Sequence, residues 1–435
     1  MHSFASYVLR AYYKATDWNE DNLYANITRS SNAILDFTVP RGLHLSVSKS
    51  PNSLFNTTYS MNAMPSLNGS IGYIFSSSHL NIKSSGDVRF KDMLERFRVY
   101  EQPRRPDPKE EEFFQGKLVD KRDYLLYGRF YLPTGRLDAV YSTRLSPTLQ
   151  AQIAAISYPP SNLPTELGAS PRRGNASNVV LNLQHDVGKW CTEYSWSADD
   201  GMWGLRVLHN FGKLGLQPDA DKSPVAAAQR GLKRVDEEDP VDGGLKGRVS
   251  AGAELYFSAK ERSAGVSTGF RFTTLPDATP PSFQLPSASD APYPSQTSQP
   301  PTTITALFNP MLGHISSAYS ARVSRDLSLS SRFDFNVYSY ESEWTMGAEM
   351  WMRRSLLDED DDTGSQPSPD VSVPKGPVRG VLKARASTKN DVSLMWEGRV
   401  RNMLVSLGVV SDFSNRTKPI KAVGLELSYF SSDPS

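Results

Sequence analysis

The sequence predicts an all-β transmembrane barrel of about 19 strands with an N-terminal helix. Three observations carry that fold class. A two-residue periodicity runs through most of the chain, and one register of each periodic segment is almost free of charge. No run of about 18 apolar residues offers a transmembrane helix. A membrane barrel is apolar only at every second position of strands about 10 residues long, so an unremarkable mean hydropathy is compatible with it.

In chain order, Phe4, Tyr7, Val8, Ala11, Tyr12 and Ala15 recur at spacings of three and four and mark a helix over 1–15. Such a helix either packs on the body of the protein or, in the sharper reading, lies inside the barrel lumen. The period then becomes two. Segments fall near 33–39, 43–49, 55–61, 69–77, 123–132, 137–145, 149–157, 178–186, 189–197 and 203–211. They continue near 247–259, 265–274, 313–323, 327–338, 342–353, 379–388, 391–398, 402–411 and 420–430. Joins such as "PTG" at 133–135 and "ADDG" at 198–201 carry turn chemistry. The domain reading is a helix and linker over 1–32, a barrel over 33–430 and a tail over 431–435.

Five stretches interrupt the strands: 78–122, 158–177, 212–246, 275–312 and 354–378. Rich in Pro, Ser, Gly and charge, they read as flexible loops. In the first, Phe90, Met93, Leu94 and Phe97 stand at i, i+3, i+4 and i+7. That spacing predicts a short amphipathic helix, which either docks a partner or folds back over the barrel mouth.

The faces differ sharply. One register collects sets such as Val249, Ala251, Ala253, Leu255, Phe257 and Trp344, Met346, Ala348, Met350, Met352, with Lys49 its one charge. The other holds Asp36, Arg129, Glu193, Arg206, Glu254, Arg271, Glu349, Lys383 and Arg385. A soluble sandwich also alternates, but it predicts strands apolar on both faces, and few are found. Trp190, Trp196, Trp203 and Trp344 near strand ends fit membrane girdles. Arg at Leu255 or Met350 is therefore expected to cost about 2–4 kcal/mol, and Arg at Glu254 or Glu349 to be tolerated.

Composition narrows the function. Forty-eight basic residues against 47 acidic give a net charge of +1, which favours no nucleic acid. The single Cys191 forms no internal disulfide, no secretory signal pattern opens the chain, and five N-x-Ser/Thr sequons (Asn26, Asn56, Asn68, Asn175, Asn415) read as chance. Six scattered histidines show no metal-ligand spacing, and no nucleotide-binding fingerprint follows a strand. No cofactor or catalytic residue is assigned and the chain is not read as an enzyme; for a barrel hydrolase, His185 sits on the lipid-facing register without a Ser and acid partner.

The last segment, "KAVGLELSYF", has a wholly apolar face of Val423, Leu425, Leu427 and Tyr429. An exposed edge of that kind aggregates, and pairing with the first strand removes it. It also resembles the sorting signal of mitochondrial barrel precursors, polar-x-Gly-x-x-hydrophobic-x-hydrophobic. Gly424, Leu427 and Tyr429 match its last three fixed positions, while Ala422 stands at the polar one.

Longer blocks, "YYKATDWNEDNLYANITRSSNAILDFTVPRGLHLSVSKSPN" (12–52), "NGSIGYIFSS" (68–77), "LYGRFYLPTGRLDAVY" (126–141) and "FNPMLGHISSAYSARVSRDLSLSSRFDFNVYSYESEWTMGAEMW" (308–351), resemble the fungal mitochondrial distribution and morphology barrel family. The resemblance implies a 19-strand mitochondrial outer-membrane barrel at ER contact sites. It would anchor the lipid-transfer subunits of the ER–mitochondria encounter structure (ERMES) and join the sorting and assembly machinery (SAM) in building other barrels. Its partners would be those two complexes and outer-membrane lipids. Tyr73 and Phe75 in "GYIF" match a family motif associated with ERMES assembly, and can equally be lipid-facing anchors. A solute channel of the voltage-dependent anion channel type is the alternative function. With the C-terminus in the intermembrane space, as the resemblance implies, counting strands puts 78–122, 212–246 and 275–312 in the cytosol and "LDEDDD" (357–362) in the intermembrane space.

Overall fold

The computed structural model describes residues 3–100, 103–106, 113–114, 117–118, 122–159, 177–212, 247–274, 300–353, 378–414 and 419–432. Helix α1 (Phe4–Ala15) starts where Ser3 Oγ accepts the Ser6 backbone N–H at 3.4 Å, and Lys14 in its last turn complements the negative end of the helix dipole. Two 3₁₀ turns (Glu20–Asn22, Tyr24–Asn26) lead to helix α2 (Arg29–Leu35).

Nineteen strands form one sheet. They are β1 (Gly42–Ser50), β2 (Phe55–Met64), β3 (Asn68–Ser76), β4 (Tyr124–Leu132), β5 (Leu137–Ser146), β6 (Leu149–Ser157) and β7 (Ser177–Asp186). Then come β8 (Trp190–Ser197), β9 (Met202–Asn210), β10 (Gly247–Ser258), β11 (Ser263–Thr274), β12 (Thr302–Asn309) and β13 (His314–Arg322). The last six are β14 (Leu327–Asn336), β15 (Ser342–Arg353), β16 (Val378–Ser387), β17 (Asp391–Val400), β18 (Met403–Asp412) and β19 (Ile420–Ser432). A two-residue ladder, Phe113–Phe114 with Lys117–Leu118, stands apart. Neighbours pair antiparallel, and an odd strand number leaves β1 and β19 parallel, from Gly42↔Gly424 to Ser50↔Ser432. That ladder closes the barrel.

Two expectations need correction, and they cancel in the count. Residues 33–39 are no strand: Ala33, Leu35, Phe37 and Val39 alternate, but 29–35 is α2, packed inside, and the barrel begins at Gly42 rather than 33. Conversely, β12 lies within the stretch assigned to the loop 275–312. Its outward residues are Ile304, Ala306 and Phe308, its inward ones include Thr303, Thr305 and Leu307, the last packed on the cluster of Leu23, Tyr24 and Ile27, and Pro300 and Pro301 blur its start. Shifting one strand along the chain changes the parity. The connections after β3, β9, β11 and β15 all leave the rim where β19 ends, hereafter the exit rim. The opposite, turn rim carries hairpin turns and the connection after β6. The connection that carries "LDEDDD" (357–362), itself outside the described residues, therefore leaves from the rim of the other long connections instead of opposing them, and all four start at the rim of the C-terminal end. The bulk of the stretches 158–177, 212–246 and 354–378, with 275–299 and the end of the tail, lies outside the described residues.

The assigned registers hold in the other strands. Leu255 and Met350 are 50% and 42% exposed and point outward, whereas Glu349 and Lys383 point inward and are 0% and 2% exposed. Where Glu349 and Lys383 stand, other parts of the chain cover the inner wall.

Candidate functional site

The lumen is filled by two stretches of the chain. The N-terminal segment runs a full circuit of the inner wall. Phe4 and Tyr7 of α1 lie 5.2 and 5.8 Å from the Phe430 ring on β19. Tyr13 Oη accepts a 2.7 Å bond from Gln152 on β6, and Arg144 on β5 donates to the Thr16 carbonyl. Asn22 donates to Asp186 at 2.7 Å and accepts from Asn210 at 2.6 Å, on β7 and β9. Tyr24 reaches Ser267 on β11 at 2.9 Å, α2 packs on β13 to β16, and Val39 and Pro40 cross β18 and β19.

The wall is cut to receive this path. A Cβ on Gly424 would lie 2.1 Å from the Pro40 carbonyl oxygen, and one on Gly347 would lie 2.9 Å from Leu35 Cδ2. The first contact is sterically impossible without displacing the segment's backbone, while the second asks the Leu35 side chain to shift, so Gly424 above all permits a close approach of backbone to wall. Gly424 thus has a packing role beside its place in the sorting pattern.

The second stretch, 77–100, straps the closing seam. Ser85 donates its N–H to the Phe430 carbonyl at 2.9 Å and its hydroxyl to Asn402, and Arg399 donates to the Val88 carbonyl. The expected amphipathic helix is one turn long, α3 (Phe90–Met93), and it folds back over the barrel mouth: Phe90, Met93, Leu94 and Phe97 are all buried. The two stretches are tied by ion pairs, Glu95 with Arg10 at 2.5 Å and with Arg29 at 3.0 Å, and Asp21 with Arg98 at 2.5 Å. Burial pushes the Asp21 carboxyl up, against the pull of Arg98 and Arg29. Lys383 on the wall donates to the carbonyls of Ala33 (2.9 Å) and Glu95. What remains between the stretches and the wall includes a polar cavity of about 450 Å³ lined by Glu20, Arg29, Asp36, Glu95, Lys383 and Glu397. The part played by 16–40 and the strap's pairing were not foreseen; alternating inward charges were the only signal that something polar had to meet them.

On the outer face Tyr73 and Phe75 are 50% and 36% exposed, near the exit-rim end of β3. Tyr73 stacks on Phe55 (6.0 Å, 18°), Phe75 meets Tyr124 (6.0 Å), and Tyr124 meets Tyr141 (6.5 Å). The pair therefore belongs to a five-ring patch over β2 to β5. Leu427 and Tyr429 also face outward, opposite Leu45 and Val47 of β1, while Gly424 faces in. Among the described residues no three His, Cys, Asp or Glu side chains form a metal site.

A family model described as Mitochondrial distribution and morphology protein 10 matches residues 1–375 and 370–432. Curated proteins of that name are similar over their whole length. That of Laccaria bicolor is 74% identical, covering 100% of both chains, and that of Postia placenta is 69% identical, covering 99% of this chain and 100% of the relative. That of Cryptococcus neoformans is 40% identical, with 99% and 100% covered.

Proposed function

Because the chain belongs to the Mitochondrial distribution and morphology protein 10 family, we propose that it is an outer-membrane barrel acting as an anchor and assembly platform. It holds the lipid-transfer subunits of ERMES at ER contact sites and joins the SAM complex in assembling other barrels. What favours an anchor over a solute channel is the filled lumen, since a barrel built to conduct needs a continuous polar path.

Tyr73 and Phe75 form part of a partner surface. Because both point away from the barrel, the partner element that meets them is itself embedded in the membrane. Replacing both with Ala should reduce co-purification of ERMES subunits from detergent-solubilised mitochondria several-fold while the barrel still inserts. Unchanged co-purification would remove the pair from the site and leave them as lipid anchors.

With the C-terminus in the intermembrane space, the exit rim and its long connections face that compartment. The turn rim then faces the cytosol and the ER, and its hairpins expose large apolar side chains: Met311, Leu312, Tyr338 and, 81% exposed, Tyr340. In intact mitochondria external protease should remove a tag at Asp199 or Glu261 and spare a C-terminal tag until the outer membrane is ruptured. The reverse pattern would invert the barrel.

A further inference from the structure

Several cations of the two inner stretches and of the wall around them are paired. Arg10, Arg29, Arg98 and Lys383 each lie within ion-pair distance of a carboxylate. At the inner edge of the exit rim, Lys91 and Arg96 of the strap lie within electrostatic reach of Arg322 at the end of β13, and Lys91 also of Arg325 in the following turn and Arg353 at the end of β15. Arg322 donates to the Phe97 carbonyl at 3.2 Å and lies 5.7 Å from the Phe97 ring, which fixes the strap against the rim. The carboxylates that face this group are already engaged: Asp326 with Arg353 at 2.6 Å, Asp92 with Arg89 at 3.1 Å, and Glu349 with Lys383 at 3.8 Å. Among the described residues Lys91, Arg96 and Arg325 have no ion-pair partner. Desolvation, followed by the fields of Arg96, Arg353, Arg322 and Arg325, pushes the Lys91 ammonium down, as expected where cations crowd one another.

Like charges gathered without counter-charge destabilise a fold unless an anion joins them. The location says which kind. Val323, in the same turn as Arg325, and Leu329, early in β14, are 58% and 42% exposed on the outer face, so this turn stands where the apolar belt ends and headgroups begin. We propose that Lys91, Arg96, Arg322 and Arg325 form a binding site for the phosphate-bearing headgroup of an anionic phospholipid at the exit rim. Basic clusters at bilayer depth select anionic lipids by this electrostatics. The site is separate from the outward aromatic patch and does not depend on the partner assignments above.

The test uses full-length protein in nanodiscs of phosphatidylcholine with a minor share of cardiolipin, read by native mass spectrometry of retained lipid. Wild type should retain cardiolipin over phosphatidylcholine. Lys91→Gln, Arg96→Gln and Arg325→Gln together should weaken retention by about tenfold or more, with the effect growing at low salt. Lys260→Gln with Arg262→Gln, at the turn rim, should leave it unchanged, and the mobility of unboiled protein in gels reports that each barrel is folded. Equal retention of both lipids, or a triple variant that keeps its cardiolipin, would overturn the proposal. So would displacement by millimolar inorganic phosphate without lipid preference, which would mark a free-phosphate site.

Discussion

Removing residues 1–38 should turn a closed barrel into a conducting one. Barrels of 16–18 strands leave an aqueous channel unless something occupies them, and this one has 19 strands. The N-terminal circuit and the strap at 77–100 occupy that space, and Arg10, Arg29 and Asp21 on the former hold Glu95 and Arg98 on the latter. Truncation therefore removes one filler and unties the other. In planar bilayers the full-length protein should show no steady large conductance, and the truncated protein should show it. A gentler variant tests the same geometry with the chain intact: Gly347→Leu drives a side chain into Ile34 and Leu35 and should raise the frequency of brief openings. Large, anion-selective conductance from the full-length protein would restore the solute-channel reading.

The second large effect concerns neighbours on β15. Met350→Arg places a charge among lipid tails at a cost of about 2–4 kcal/mol. The alternation alone predicts that Arg at Glu349, on the polar face, is tolerated. The packing says otherwise. Glu349 is 0% exposed, accepts from Trp351 Nε1 at 2.8 Å and from the Phe97 N–H at 3.3 Å, and faces Lys383 at 3.8 Å. Arg there sets two cations side by side in a sealed interior and strands the Phe97 donor, a loss of about 3–5 kcal/mol. Both variants should lower the urea midpoint of the folded barrel in micelles by comparable amounts. Only Glu349→Arg should recover in part when combined with Lys383→Glu, because only that pair is coupled. Were Glu349→Arg as stable as wild type, the strap would not rest on β15 as described.

The barrel itself was legible because its rule is local: a strand half exposed to lipid writes its register into every second residue, as Val249 to Phe257 and Trp344 to Met352 show. The errors arose where that rule is shared or muted. Ala33, Leu35, Phe37 and Val39 alternate although they lie within the barrel, where helix and extended chain alike cover apolar side chains, and Thr28 at the N-cap position makes no side-chain capping bond to set the helix start apart. Strand β12 is short, carries the uncharged Thr303, Thr305 and Leu307 on its inward face, and starts at a pair of prolines. Of the candidate site, the outward Tyr73 and Phe75 could be placed from their register. The pairings of Glu95 with Arg29 and of Lys383 with the Ala33 carbonyl could not, because they join residues 66 and 350 positions apart and no periodicity reports on such distances.

The circuit of the N-terminal segment also gives the molecule a history. Residues translated before the strands end up enclosed by a ring whose closing seam is made by the last strand. Phe4 and Tyr7 rest on Phe430, and Pro40 covers Gly424, so the inner face of the terminal strand is capped by the beginning of the chain. Before the ring closes neither contact exists, and the inner face of that strand is bare. Once the ring has closed around the N-terminal segment, the inner side of that strand at Gly424 and Phe430 is out of reach, while Leu427 and Tyr429 stay on the outer face.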